Sequence, residues 1–170
     1  MASLSPRVEE TPSVESLKMI GLVVWSWAMM EEFLRYQLIR LSIAPHKPLT
    51  KDVIPPYILV SGMKARTVLG LLRSFVLRQF PDDLTEFDKI RKRIERLSDT
   101  RDLIVHSAWE RGTKPNSIST LRTKTINQIK SESHEFTCDE LCDLGARIQE
   151  EAKTLWKFFS AHGLAFNFAE

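Results

Sequence analysis

Arg101, Asp102 and His106 lie close together in the sequence and carry side chains that can move protons and stabilise negative charge. The surrounding segment has a helical pattern, so Asp102 and His106 fall on neighbouring turns of one helix face. There the carboxylate can hold one ring nitrogen of the histidine and orient the other outward. The imidazole is therefore in a position where its proton could be useful, which makes Arg101, Asp102 and His106 candidate site residues. The alternative is that His106 is an ordinary surface histidine.

Two charged residues stand where the apolar pattern asks for Leu or Ile, namely Glu31 in the first helix and Arg101 in the third. An isolated buried charge is costly, so each of them needs a partner. We predict that the two side chains contact each other and that Glu31 thereby supports the candidate site. The alternative is an ion pair that only fixes the register of the two helices.

Around these residues the sequence resembles the HEPN superfamily (higher eukaryotes and prokaryotes nucleotide-binding domains), whose members share a helical bundle and an Arg-x4–6-His motif. The matching residues are Arg101, Asp102, which replaces a commoner Asn, and His106. The ending His106-Ser-Ala-Trp109 and the Trp27-x3-Glu31 pattern are similar to a bacterial subset. A toxin subgroup has a Tyr where this chain has Ala108, which argues against regulation by modification of such a Tyr.

The resemblance implies a metal-independent endoribonuclease that works as a homodimer, with the motifs of both chains in one cleft. It implies that His106 is the general base or acid and that Arg101 stabilises the transition state after attack by the 2′-OH. RNA would be the substrate and no cofactor would be needed. A toxin or defence effector is one role it implies, with an antitoxin or regulatory protein as a candidate partner. Two alternatives stay open: a non-catalytic HEPN-like binding or dimerisation module, and an unrelated helical adaptor.

The charge distribution indicates where RNA could bind. Net charge is only +2, which excludes binding by bulk charge but allows a local basic patch. Residues 111–130 contain five positive charges and no acidic residue, and 61–80 contain four and none. We predict RNA-binding roles for Arg111, Lys114, Arg122 and Lys124. The alternative is a solvated loop. Trp109 is predicted to pack at the helix end.

The elements that must position these residues are four long amphipathic helices, predicted over 14–42, 57–79, 84–107 and 137–161. A Leu- and Ile-rich stripe with heptad-like spacing marks the buried face of the first: Leu17, Ile20, Val24, Trp27, Leu34, Leu38 and Leu41. Thr137 and Glu140 form a capping box. Residues 118–129 favour a short β-hairpin. The fold class is therefore all-α, an antiparallel four-helix bundle with an irregular or β-hairpin insertion between helices 3 and 4.

Length and composition set the remaining expectations. The 170 residues suit one domain, predicted over 13–170, after a loose tail at 1–12. The longest apolar stretch, 19–30, is shorter than the about 20 residues of a membrane span, and no signal peptide is recognisable. Cys138 and Cys142 are expected to be free thiols of a cytoplasmic protein. A zinc site with His134 is disfavoured for lack of a fourth ligand, so no metal is predicted.

Overall fold

A computed structural model of the chain describes residues 11–43, 58, 60–126 and 128–164, with the backbone alone at 43, 122–126 and 128–132. This part of the chain is mostly helical and includes one small antiparallel sheet. In chain order the elements are α1 (Val14–Ile43), α2 (Ala65–Gln79), a 3-10 turn (Pro81–Asp83), α3 (Leu84–Val105), β1 (Ala108–Arg111), β2 (Ser117–Ile126), β3 (Gln128–Thr137) and α4 (Cys138–Ala161). The predicted mainly helical class with an insertion before the last helix is confirmed. The predicted N-terminal tail lies largely outside the described residues.

The predicted bounds of α1, α3 and α4 are confirmed to within two residues, but the second helix is shorter than predicted. It was expected over 57–79, and the continuous helix begins at Ala65. Residues 58, 60 and 61 are helical, and the chain then leaves the helix at Gly62. Lys64 has an extended backbone (φ −70°, ψ 147°) and caps α2 without a side-chain hydrogen bond. The apolar pattern does not reveal this break in the helix, because the pattern continues on both sides of the break.

The buried face of α1 largely follows the predicted stripe. Five of its apolar residues are buried as predicted: Ile20, Trp27, Leu34, Leu38 and Leu41. Leu17 and Val24, expected inside, are 45% and 39% exposed. Ser16, Val23, Ser26 and Met30 are buried beside the stripe in the first half of the helix. Spacing could not decide between neighbouring positions here, because α1 is apolar on more than one side.

The insertion is a three-stranded sheet rather than a short hairpin. Strand order is β1-β2-β3 with both pairs antiparallel, Trp109 opposite Thr120 and Ile118 opposite Phe136. The predicted hairpin at 118–129 is therefore wrong in extent, because β3 continues to Thr137 and β1 adds a strand directly after α3. Asn116 takes a left-handed conformation (φ 52°) in the turn between β1 and β2, which Asn tolerates better than most residues.

The start of α4 confirms the predicted capping box. The Thr137 hydroxyl accepts from the backbone N–H of Glu140 at 3.2 Å, and Glu140 Oε2 accepts from the backbone N–H of Thr137 at 2.8 Å. These bonds satisfy donors that the helix itself leaves open. The Thr137 N–H and hydroxyl hold the pKa of the Glu140 carboxyl below its usual value. The helix start is thus determined by residues close in sequence.

The described part of the chain divides into two compact units, the first comprising the described residues of 11–26 and 99–147 and the second those of 27–98 and 148–164. In the first unit, the sheet and the adjoining helix segments bury Ile104, Ile118 and Leu141 completely. A contact of 3.6 Å joins Ser16 Oγ to Cys138 Sγ. Gly145 lets α4 approach Leu22 closely, since a Cβ there would lie 3.0 Å from Leu22 Cγ.

The second unit has a core of aromatic and branched aliphatic side chains. The ring of Phe87 lies 5.5 Å from that of Phe158 and 6.1 Å from that of Phe159, measured between centroids. Arg73 joins α2 to α3 by donating to both carboxylate oxygens of Asp88, at 2.9 and 3.0 Å. This guanidinium holds the pKa of Asp88 below its usual value.

No helix in the described ranges has the length and apolar character needed to cross a membrane.

Candidate functional site

Arg101, Asp102 and His106 form one cluster at the C-terminal end of α3, which we call the Arg101 cluster. Arg101 Nη1 donates to Asp102 Oδ1 at 2.9 Å. The same oxygen lies 4.0 Å from His106 Nε2. One carboxylate oxygen therefore faces both the guanidinium and the imidazole. The three side chains that the sequence singled out are close together within the first unit.

The members of the Arg101 cluster differ in their access to solvent. The His106 side chain is 59% exposed, whereas that of Arg101 is only 19% exposed. The 4.0 Å separation between His106 and Asp102 exceeds a hydrogen bond, so a small side-chain rotation or a bridging water is needed to connect them. His106 is open to an incoming ligand, and Arg101 presents only one part of its guanidinium.

The chain immediately after α3 fixes the position of His106. The backbone N–H of His106 donates to the carbonyl of Asp102 at 3.1 Å, which is the last helical hydrogen bond of this segment. The Ser107 hydroxyl donates to the Leu103 carbonyl, and the Trp109 indole N–H donates to the Ile104 carbonyl. These two bonds satisfy carbonyls that the helix end leaves open. Trp109 packs at the helix end as predicted, so β1 and the sheet are anchored beside His106.

Glu31 belongs to the second unit and has a partner within its own helix. Arg35 Nη2 donates to Glu31 Oε2 at 3.4 Å and also to the backbone carbonyl of Met63 at 3.3 Å. The Glu31 side chain is 24% exposed. Asp102 supplies a partner for Arg101 in the same way. The predicted contact between Glu31 and Arg101 stays a prediction, and neither charge depends on it to be paired.

The predicted RNA-binding residues lie on the sheet that follows the Arg101 cluster. Arg111 ends β1 and Lys114 lies in the next turn, and both are exposed. Arg122 and Lys124 lie in β2, opposite Glu132 and Lys130 in the register of the strands. The side chains of Arg122 and Lys124 lie outside the described residues. Three of the four basic positions are thus placed in strands of one sheet and the fourth in its first turn, and the first strand begins two residues after His106.

Glu135 organises the turn between β1 and β2, a role that sequence reasoning missed. Its Oε1 accepts from the Ser117 hydroxyl at 2.6 Å and from the Lys114 N–H at 2.8 Å, and its Oε2 accepts from the Thr113 hydroxyl at 2.9 Å. These donors, that of Ser117 above all, lower the pKa of Glu135 to about 2. No sequence pattern marks this residue, because its partners lie across the sheet.

Sequence reasoning also missed a cavity of about 270 Å³, which we call the α4 pocket. Six residues line it: Thr100, Phe136, Glu140, Asp143, Leu144 and Arg147. They come from α3, from the end of β3 and from the first turns of α4. The spacing of Glu140, Asp143, Leu144 and Arg147 marks one helix face, but only the fold adds Thr100 and Phe136 to it.

Within the described part of the chain, no group of three or more His, Cys, Asp or Glu side chains is arranged to hold a metal ion. Cys138 and Cys142 are free thiols as predicted.

Comparison with known proteins adds nothing to this geometry: no family model, no curated protein and no solved structure matches the chain.

Proposed function

We propose that this protein is a metal-independent endoribonuclease of the HEPN type. The observation that supports the proposal is the Arg101 cluster, in which one oxygen of the Asp102 carboxylate lies 2.9 Å from the Arg101 guanidinium and 4.0 Å from the exposed imidazole of His106. RNA contains its own nucleophile, the 2′-OH. A protein that cleaves it needs to supply proton transfer and charge stabilisation, and these residue types can do both.

In the proposed reaction, His106 accepts the proton of the 2′-OH while that oxygen attacks the adjacent phosphorus. The bond from phosphorus to the 5′-oxygen breaks, and the leaving oxygen takes up a proton from a protonated imidazole. The products are a 2′,3′-cyclic phosphate and a 5′-OH. Arg101 stabilises the charge that builds up on the non-bridging oxygens. Asp102 orients His106 and holds Arg101.

A homodimer suits this chemistry, because one His106 could act as base and the second as acid. We also propose that the four helices are antiparallel, that the cleft forms between two copies of the chain, and that the protein is cytoplasmic. RNA would run from the cleft over the sheet, along Arg111, Lys114, Arg122 and Lys124. Glu31 would support the site, and an antitoxin or regulatory protein would control it if the protein acts as a toxin or defence effector.

A non-catalytic binding or dimerisation module is the second candidate function. The observation in its favour is that the Arg101 guanidinium is largely covered and is hydrogen-bonded to the neighbouring Asp102. An arginine held in this way can be kept for the stability of the helix end alone. This candidate predicts that His106 has no role.

Incubation of single-stranded RNA with purified protein in EDTA tests the proposal. We expect cleavage that leaves 2′,3′-cyclic phosphate ends and is lost in His106→Ala. His134→Ala is the matched control, because His134 is an exposed histidine on β3 of the same unit. Cleavage that persists in His106→Ala, or no cleavage by the unchanged protein, would refute the proposed activity. Thermal melts of both variants establish that they are folded.

A further inference from the structure

The α4 pocket lies next to the Arg101 cluster. Thr100, which lines the pocket, precedes Arg101 in α3. Successive residues of an α-helix are about 100° apart around its axis, so Arg101 lies between Thr100 on one side and Asp102 on the other. The helix rises about 1.5 Å per residue, so Thr100 and His106 are separated by about 9 Å along it. An RNA segment that contacts both the pocket and His106 must therefore span about 9 Å along the helix, past Arg101.

The walls of the α4 pocket combine an apolar surface with polar groups. Phe136 is half-buried and Leu144 is 5% exposed, so together they form a hydrophobic wall. Asp143 and Arg147 are exposed, and the side chain of neither forms a hydrogen bond or ion pair with another described residue. Pockets with an apolar lining and a few converging polar groups are typical small-ligand sites. The volume of about 270 Å³ is at the small end, suited to one planar ring system rather than to a whole nucleotide.

Charge favours a base over a phosphate in this pocket. Glu140 and Asp143 bring two carboxylates against the single guanidinium of Arg147. Glu140 Oε2 is occupied by the Thr137 N–H, and the Asp143 carboxylate is free to accept hydrogen bonds among the described residues. A phosphate would be repelled by these carboxylates. A ligand that donates hydrogen bonds to a carboxylate and accepts them from a guanidinium would be held.

Guanine is the nucleobase with this combination of groups. Its O6 and N7 accept from arginine, and its N1–H and N2–H₂ are two adjacent donors that match a carboxylate. Adenine and cytosine each offer an amino donor beside a ring acceptor, which a carboxylate pairs with poorly. Uracil lacks the exocyclic amino group. The Phe136 ring provides an apolar surface against which an unstacked base can pack, as in other single-stranded RNA sites.

We propose that the α4 pocket binds a guanine base of the RNA, with Asp143 accepting from its N1–H and N2–H₂, Arg147 donating to its O6 and N7, and the adjoining phosphate at Arg101. This inference rests on the proposed ribonuclease function and adds a preference to it. Cleavage is directed to positions next to guanosine. Asp143 and Arg147 are specificity residues and take no part in the proton transfers.

Binding to intact RNA tests the pocket separately from cleavage. The probes are short fluorescent oligouridylates that carry either one guanosine or one adenosine, titrated against His106→Ala protein so that they are not cut. We expect the guanosine probe to bind about tenfold more tightly, the discrimination of one good bidentate pair. Asp143→Asn and Arg147→Gln, each added to His106→Ala, should bring the two probes to equal affinity.

Two matched variants control for the change of charge. Asp139→Asn alters an exposed acid in the first turn of α4 that does not line the pocket. Lys157→Gln alters an exposed cation of α4 that lies outside both basic segments and does not line the pocket. Both should keep the guanosine preference, and sites of cleavage by the unchanged protein should map beside guanosine.

The outcomes separate this inference from the proposed function. Cleavage and RNA binding without a guanosine preference would overturn the pocket assignment alone. Absence of both RNA binding and cleavage would overturn the two proposals together. A guanosine preference that survives Asp143→Asn would place base recognition elsewhere and refute the pocket. Free 5′-GMP that binds as tightly as the guanosine oligonucleotide would overturn the assignment to RNA.

Discussion

Replacing Arg101 and His106 by alanine, one at a time, separates a catalytic histidine from a structural arginine. The His106 side chain is 59% exposed, and its Nε2 lies 4.0 Å from Asp102 Oδ1. An exposed substitution of this kind changes the free energy of unfolding by within about 0.5 kcal/mol. We therefore expect His106→Ala to unfold at nearly the same temperature as the unchanged protein.

Arg101→Ala should be the more destabilising of the two. The guanidinium is 19% exposed and donates at 2.9 Å to Asp102, so its loss removes a charged hydrogen bond and the packing of the side-chain stem. Such a bond contributes about 1.5–3 kcal/mol when buried. Asp102 is 42% exposed and is rehydrated once its partner is removed, so we expect a cost of about 1–2 kcal/mol. For a chain of this size that lowers the melting temperature by about 2–8 °C.

The assay pairs thermal melts with initial rates of RNA cleavage. Loss of a general acid or base lowers the rate by about 10²–10⁴-fold, and loss of a charge-stabilising group by about 10²–10³-fold. Both variants should therefore be nearly inactive, but only Arg101→Ala should be clearly destabilised. If His106→Ala were inactive and also lost as much stability as Arg101→Ala, the reasoning would be refuted, because the loss of activity would then follow from damage to the fold.

Three further predictions concern the elements around the site. Glu135→Gln should weaken the dependence of stability on pH in acid. The hydrogen bonds lower the pKa of this carboxyl to about 2 from an ordinary 4.5, so its contribution to the free energy of unfolding is complete above pH 4.5 and disappears as pH falls towards 2. Thermal melts at a series of pH values would show the difference. Thr137→Ala should cost about 1 kcal/mol in urea unfolding, and Thr137→Ser should not. Gly112→Ala should cost about 1–3 kcal/mol by the same measurement, because its Cβ would lie 2.0 Å from Ser117 Oγ; an unchanged midpoint would contradict the observed turn.

The extent to which the fold was predictable differs from element to element. The beginning of α4 followed from Thr137 and Glu140, whose hydrogen bonds join residues three apart in sequence. The full extent of the insertion did not follow from the sequence. The Thr- and Ser-rich segment indicated a hairpin, but β1 is only four residues long, too short to show a strand pattern of its own. Trp109 joins the sheet because Thr120 lies opposite it, and that pairing is not visible in the local pattern.

The candidate site was predictable in part for the same reason. Asp102 and His106 are neighbours on any helix, so their proximity needed only the helical pattern. Glu31 entered the prediction because it interrupts an apolar stripe, but its side chain is partly exposed and pairs with Arg35 in the same helix. Neighbouring positions on a helix that is apolar on several sides cannot be ranked without the surface that packs against them.

The sequence by itself determined the features that depend on residues within one or two helical turns: the extents of α1, α3 and α4, the cap at Thr137, and the proximity of Asp102 to His106. The tertiary structure alone decided that Leu17 and Val24 of α1 are exposed, that β1 extends the sheet, that Glu135 holds the turn after β1, and that Thr100 and Phe136 meet α4 around a pocket. The physical reason is the distance along the chain over which each kind of interaction acts. Backbone hydrogen bonds and caps act between near neighbours, whereas burial, strand pairing and cavities depend on segments far apart in the chain that meet only when it folds.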